Sequence, residues 1–330
     1  MSGGWHSVRD HPFKLSVMIS SSSISGVAKP RAKRVAKPKV ERGKLVRGAS
    51  IGTFTFSECV ENHAGMQQVG TCGEAGTGFT VAELEAIRDR CVASGVTVEL
   101  VSLGGAGSPE GTPSGAPEAA VLVIRGGVNA LLGQADGAEL LFAEHGALEH
   151  DTKALMRGRV VEKWARGNLC YADEAQEPDY AAGKGRIVAY ESIPWTQRLR
   201  NAMPDWFGEK ARDLKAEGNY YYDLEKCGIG FHGDGERRKV VAARVGASMP
   251  IHYQWFHRFK PVGERFVIPL HDGDMYIMSE KAAGTDWKSS SILTLRHATG
   301  GPEYTTIKEK KPKAPKATVV TVPMGGGGAM

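Results

Sequence analysis

The sequence predicts an α+β chain whose larger part is a β-sandwich or jelly-roll with helical support. Three observations carry this. From about Met156 the chain falls into short apolar runs separated by Gly, Pro and Asp. Helical periodicity in that part is confined to two stretches gathered ahead of most of the strands. Before it lies a small segment with one capped helix and two strands.

Taken in chain order, ordered structure is expected from Ile51. Thr80-Val81-Ala82-Glu83 has the form of a capping box, and VAELEAIRDRCVAS repeats apolar residues at helical spacing until Gly95 stops it. Val96–Leu103 alternates like a strand, and Val121–Arg125 is a second strand candidate. The GGAGSPEGTPSGAP segment between them has loop composition. Further strands are expected at Ile187–Tyr190, Gly228–Phe231, Lys239–Val245, His252–Phe256, Arg265–Leu270, Met275–Met278 and Ile292–Leu295. Helices are expected at Thr196–Ala202 and Phe207–Glu217. The expected division is a basic tail (1–50), a small α/β accessory region (51–155), the strand-rich domain (156–300) and a basic flexible tail (301–330).

The chain has 330 residues, 41% of them hydrophobic and 24% charged, a soluble globular balance. No apolar run approaches the roughly 20 residues needed to span a bilayer, and the first residues lack a signal-peptide core. Five scattered cysteines without a CxxC argue against a zinc ribbon or disulfide framework and for buried thiols in a reducing compartment, nuclear or cytoplasmic. The net charge is +5, but eleven Lys and Arg against two acids put +9 on residues 1–50 and leave −4 on the remainder. That stretch has too little apolar content to offset chain entropy, and its charge spacing suits phosphate backbones or a nuclear import receptor. A second basic segment runs from Lys308 to Lys316. Nucleic acid is the partner class that two basic arms favour; the alternative is a merely solubilising role. A monomer is expected.

The chemistry-bearing candidates lie in Gly218–Val245, GNYYYDLEKCGIGFHGDGERRKVVAARV. His232-Gly233-Asp234 ends an apolar strand, and a later strand ends in Leu295-Arg296-His297. Two His and one carboxylate occupy one face of Fe(II) and leave positions open for O2 and a co-substrate. HxD alone is a weak signal, and His252, His257 and His271 are rivals that read as packing or surface residues.

The context of the triplet resembles the AlkB family of Fe(II)- and 2-oxoglutarate-dependent dioxygenases. Asn219-Tyr220-Tyr221, then His232-Gly233-Asp234-Gly235-Glu236, then a strand ending ARVGA, follow that family's N-x-Y, H-x-D-x-E and S-L-G order. Leu270–Met278 resembles its turn and strand before the distal His. Arg166-Gly-Asn168-Leu-Cys170-Tyr171-Ala-Asp173 with Pro178-Asp179-Tyr180 resembles its nucleotide-recognition lid, and Ile193-Pro194-Trp195-Thr196 the segment after it. The resemblance covers about Gly158–Gly300 and implies a double-stranded β-helix core. It implies His232, Asp234 and His297 as iron ligands, and Asn219 and Tyr221 as contacts to 2-oxoglutarate. It further implies Arg166, Tyr171, Tyr180 and Glu236 on the substrate side, and oxidation of an alkyl or methyl group on a flipped nucleobase of DNA or RNA.

The sequence departs from the family at three places. His297 is followed by ATGGPEYTTIKEKK rather than by the R-x-N-x-x-x-R strand that anchors the co-substrate carboxylates. The usual W-x-H-S-V appears as Trp287-Lys288-Ser289-Ser290-Ser291, and the lid Pro is Ala165. A dicarboxylate in a half-buried site needs a cation, since desolvating it unpaired is costly. Arg244, at an inward strand position, and Lys308, eleven residues beyond His297, are the two candidates. Two other readings fit the same residues: the same chemistry on a protein or small molecule or with another co-substrate, and a non-catalytic nucleic-acid-binding module on this fold.

Overall fold

Strict alternation builds the framework of the protein, whose computed structural model describes residues 44–307. Sixteen strands and six α-helices appear in this order among the described residues. The first part holds β1 (Ile51–Ser57), β2 (Cys59–Glu61), β3 (Gln68–Gly70), α1 (Val81–Ala93), β4 (Val98–Gly104), β5 (Ala119–Ile124), α2 (Gly127–Leu132) and α3 (Gly137–Gly146). Next come β6 (Lys153–Met156), β7 (Arg159–Glu162), β8 (Gly167–Ala172), β9 (Ile187–Ala189), α4 (Pro194–Phe207), β10 (Lys215–Tyr221) and β11 (Gly228–His232). The chain closes with β12 (Val240–Gly246), β13 (Ile251–His257), β14 (Lys260–Ile268), β15 (Met275–Met278), α5 (Glu280–Ala283), β16 (Thr294–Gly300) and α6 (Pro302–Thr305).

Eight strands form one mostly antiparallel sheet in the order β4-β5-β15-β12-β1-β10-β8-β9, and four form a second in the order β11-β16-β13-β14. From β10 onward the chain passes back and forth: β10, β12 and β15 belong to the large sheet, β11, β13, β14 and β16 to the small one. Period-two alternation gives the large sheet two buried faces. On one, Phe54, Phe56, Val241, Ala243 and Ile277 pack with Leu84 and Ile87 of α1, Leu141 of α3 and Leu199 and Met203 of α4. On the other, Val121, Val123, Val240, Ala242 and Met278 pack against Ile251, Tyr253, Trp255 and Leu295 of the small sheet. At roughly 1.5–3 kcal/mol for each fully buried large apolar side chain, these two clusters dominate the stability of the fold.

Several expectations meet the structure directly. Thr80 caps α1 with the reciprocal Glu83 bond. Trp255 is core, its Nε1 donating to the carbonyl of Leu103 at 2.7 Å. The five cysteines are free, four of them buried. No helix among the described residues is long and apolar enough to cross a membrane.

Others are corrected. The helix expected over Phe207–Glu217 does not form: α4 starts with Pro194 at its first turn and ends at Gly208, whose φ of 87° no helix admits. A short 3-10 turn (Glu209–Ala211) follows, and β10 begins at Lys215. Nor do residues 51–155 stand apart as an accessory element. β1 lies between β10 and β12 in the middle of the large sheet, and β4 and β5 extend that sheet past β15. Arg47, inside the expected tail, is tied to Asp272 at 2.9 Å. The rest of the basic N-terminal segment, to residue 43, and Lys308 with the basic C-terminal segment lie outside the described residues.

Candidate metal centre

Strand pairing brings the distant histidine to the proximal pair. β11 and β16 are antiparallel neighbours in which His232 stands directly opposite His297, after a register shift between Ile229 and His232. Residues opposite each other on such strands project from the same face, so two side chains 65 positions apart meet with ring centroids 4.5 Å apart. Asp234 follows in the turn, its backbone N–H donating to Ala283 at 2.9 Å. The turn needs the intervening glycine, because a Cβ at Gly233 would lie 2.0 Å from the carbonyl oxygen of Gly284.

The donor atoms converge. Asp234 Oδ1 is 3.6 Å from His232 Nε2 and 3.7 Å from His297 Nε2, and the three ligand atoms all lie within 4.8 Å of one another. Donors held at about 2.1 Å from a common ion stand about 3.0–3.4 Å apart, so the two His–Asp spacings are within a few tenths of an ångström of that range. His232 Nδ1 lies 2.8 Å from the carbonyl oxygen of Gly230. A carbonyl only accepts, so the proton is on Nδ1 and the Nε2 lone pair faces Asp234. Burial, reinforced by the neighbouring His297, brings His232 down to about 4, which leaves it neutral at pH 7. Burial opposes ionisation of Asp234, but His297 and Arg237 outweigh it and hold the carboxyl well below its usual range. Two imidazoles and a carboxylate are a donor set that fits a borderline divalent ion such as Fe(II).

The three residues line a cavity of about 630 Å³ between the sheets. Arg166, Asn219, Tyr221, Glu236 and Arg244 share it. The large sheet's cavity face is organised in rows. Strand register places Arg244 of β12, Thr53 of β1, Asn219 of β10 and Asn168 of β8 side by side, and Ala242, Thr55, Glu217 and Cys170 in the next row. Arg244 is fully buried. Its Nη1 donates to Met249 at 3.0 Å, while Nε and Nη2 are buried with no hydrogen-bond partner. Those two donors share one edge of the guanidinium, the edge that takes a carboxylate in a two-pronged bond.

Below this row runs a buried polar network. Asn219 Oδ1 accepts from Arg166 and Asn168 and its amide donates to Glu217 at 3.1 Å, so Asn219 is committed to the wall. Glu217 also accepts from Arg237 at 2.7 Å, and Arg237 pairs with Glu236 as well. Lys163 donates to Asn62 and Asn168, each at 2.9 Å. Burial, and behind it Arg166, lowers Lys163 to about 8. Across the cavity, burial together with Glu236 and Glu217 raises Glu61 to about 7.

Two lid candidates are not in the cavity. Tyr171 alternates to the opposite face of β8 from Cys170 and is fully buried. There its hydroxyl meets Tyr220 and lies 3.0 Å from His145 Nδ1. Tyr180 donates to Asp151 at 2.6 Å outside the cavity lining. Trp195 packs against the helix-side core, and among the rival histidines His271 lies 2.9 Å from the Ser248 hydroxyl. Conversely, Thr53, Thr55, Glu61, Glu217 and Arg237 line the cavity without having been singled out, as does Trp287, which the sequence marked only as a departure from the family motif. Period-two spacing from Asn219 points to Glu217; for Thr53 and Thr55 the signal is legible only once β1 is known to border β10 and β12.

No family model matches the chain. An uncharacterized protein of Acanthamoeba polyphaga mimivirus is 45% identical over 253 residues, spanning 76% of this chain and 96% of that protein.

Proposed function

We propose that the chain, which belongs to the family of that mimivirus protein, is by the chemistry of its own cavity an AlkB-like Fe(II)- and 2-oxoglutarate-dependent dioxygenase that oxidises alkyl or methyl groups on nucleobases. The observation that carries the reading is the meeting, in one cavity, of the His232, Asp234 and His297 donors with a buried arginine whose carboxylate-binding edge is open. Passage of the chain between two facing sheets from β10 to β16 supports a double-stranded β-helix core. When bound, Fe(II) supplies the activation of O2 that converts 2-oxoglutarate to succinate and CO2 and places oxygen on the target carbon.

The chain's own residues account for the rest. His232, Asp234 and His297 are the residues that would hold the ion. Arg244, with Nε and Nη2 buried and unpartnered, would take the far carboxylate of the dicarboxylate. Arg237, held between Glu217 and Glu236, keeps those acids in place, so that Glu236 faces an incoming base with its carboxylate fixed. Apolar packing of Tyr253 and Met278 beneath the site excludes bulk water.

A nucleic-acid substrate is supported by the β6–β7 hairpin. Its turn, Arg157-Gly158, has both residues at positive φ, 51° and 74°. The hairpin exposes Lys153, Arg157 and Arg159, and Trp164, 70% exposed, follows it two residues before the cavity residue Arg166. Cations for phosphate beside an aromatic face for a base are the elements of single-strand binding.

The test is anaerobic addition of Fe(II) and then 2-oxoglutarate to the purified protein, with His232→Ala alongside. A weak visible charge-transfer band in the wild type and none in the variant is expected. Iron binding without a band would direct the search to another co-substrate, and no iron binding would favour the binding-module reading.

A further inference from the structure

The strand that lies between β10 and β12 in the large sheet comes from the N-terminal part of the chain. β1 pairs with β10 on one side and β12 on the other, and it carries no cation: Ile51-Gly52-Thr53-Phe54-Thr55-Phe56-Ser57. Its one residue in the Arg244 row is Thr53, directly opposite Arg244 on β12 and Asn219 on β10. Thr53 is 5% exposed and lines the cavity, and its hydroxyl is buried with no hydrogen-bond partner. A buried hydroxyl and a buried guanidinium edge, both unsatisfied and side by side on one cavity wall, are costly unless a ligand satisfies them. Asn219, the other neighbour of Thr53, does not satisfy it, since both ends of its amide are engaged within the network.

We propose that Thr53 and Arg244 together form the receptor for the distal carboxylate of a dicarboxylate co-substrate. The Nε–Nη2 edge of Arg244 donates to the two carboxylate oxygens, and the Thr53 hydroxyl donates a third hydrogen bond to one of them. Thr53 is a positioning residue contributed by the N-terminal strand, and it selects for acids that end in a second carboxylate. The inference rests on the dioxygenase reading for the identity of the dicarboxylate.

The experiment is calorimetric titration of the full-length, Mn(II)-loaded protein, in which no turnover occurs. The ligands are 2-oxoglutarate and 2-oxobutyrate, which share the keto-acid head and differ in the distal carboxylate. Thr53→Val is expected to weaken 2-oxoglutarate about tenfold, since one charge-assisted hydrogen bond is lost, and to leave 2-oxobutyrate and Mn(II) affinity unchanged. Thr53→Ser restores the wild-type value, while Thr55→Val, also on the cavity wall, does not weaken 2-oxoglutarate selectively. Thr53→Ala serves as a second truncation should valine disturb the strand. Unchanged 2-oxoglutarate affinity in the truncations, or equal weakening of both acids, overturns the role of Thr53. Failure of the wild type itself to bind 2-oxoglutarate overturns the co-substrate reading, and the Thr53 role with it, and is seen before any variant is compared.

Discussion

Arg237 is the most heavily charged contact point in the site, and its removal has a computable outcome. Its guanidinium is 3% exposed, donates to Glu217 at 2.7 Å and pairs with Glu236. Burial works against its charge, but Glu236, Asp234 and Glu217 outweigh that and hold it firmly protonated. Arg237→Met keeps much of the apolar stem and deletes the charge, leaving those three acids facing one another. Breaking a buried pair from one side costs about 3–5 kcal/mol, and at roughly 2–4 °C per kcal/mol for a domain of this size the Tm falls by about 6–20 °C. Urea unfolding followed by tryptophan fluorescence measures the loss. Its pH dependence is specific. Glu61 and Glu236 already have raised pKa values in the folded protein, and without Arg237 the acids rise further. A raised acid keeps in the native state a proton that the unfolded chain releases near 4.5, so native stability falls as pH climbs from there through the folded pKa. The deficit of Arg237→Met is therefore larger at pH 8 than at pH 5.5, and adding Glu217→Gln recovers part of it by removing one stranded charge. A deficit under about 1 kcal/mol, or one that ignores both pH and Glu217→Gln, would refute the electrostatic reasoning.

Lys163 gives the opposite pH sign. Its folded pKa of about 8 lies below the ordinary 10.5, so the unfolded chain binds the extra proton and stability rises with pH between those values. The difference in unfolding free energy between wild type and Lys163→Met is expected to shift by at most about 3 kcal/mol across that window; a flat difference would show that Lys163 is not desolvated. Gly233→Ala forces the Cβ against the Gly284 carbonyl and displaces the turn between the two ligands, so Fe(II) affinity is expected to fall at least tenfold. Equal metal affinity in that variant, by competition with a chromophoric chelator, would mean that the turn has slack the structure does not suggest.

The strand-rich half was legible because its alternation and its Gly, Pro and Asp breaks are local. His232 and His297 stood out in the sequence as histidines beside apolar runs; His232 does end β11, whereas His297 lies in the middle of β16, which runs on to Gly300. What escaped was non-local. Tyr171 has the spacing of a lid residue, yet one step of alternation beyond Cys170 turns it toward the helix-side core with Tyr220. The polar wall around Glu217 and Arg237 depends on four strands lying in register, which no window of sequence displays. The helix expected over Phe207–Glu217 failed because Gly208 stops α4 and the alternating Glu217-Gly-Asn219-Tyr-Tyr221 pattern prevails after it.

The central position of β1 also sets the order in which this molecule can be made. Its partners are far along the chain: Phe54 pairs with Gly218 and with Ala243. A ribosome therefore completes most of the polypeptide while the seven residues of β1 have neither edge partner available, and the large sheet cannot close from its N-terminal side outward. Closing loops of that length is slow and leaves unpaired strand edges open in the interim, so nascent chains of this protein are expected to depend on chaperones more than their final packing would suggest.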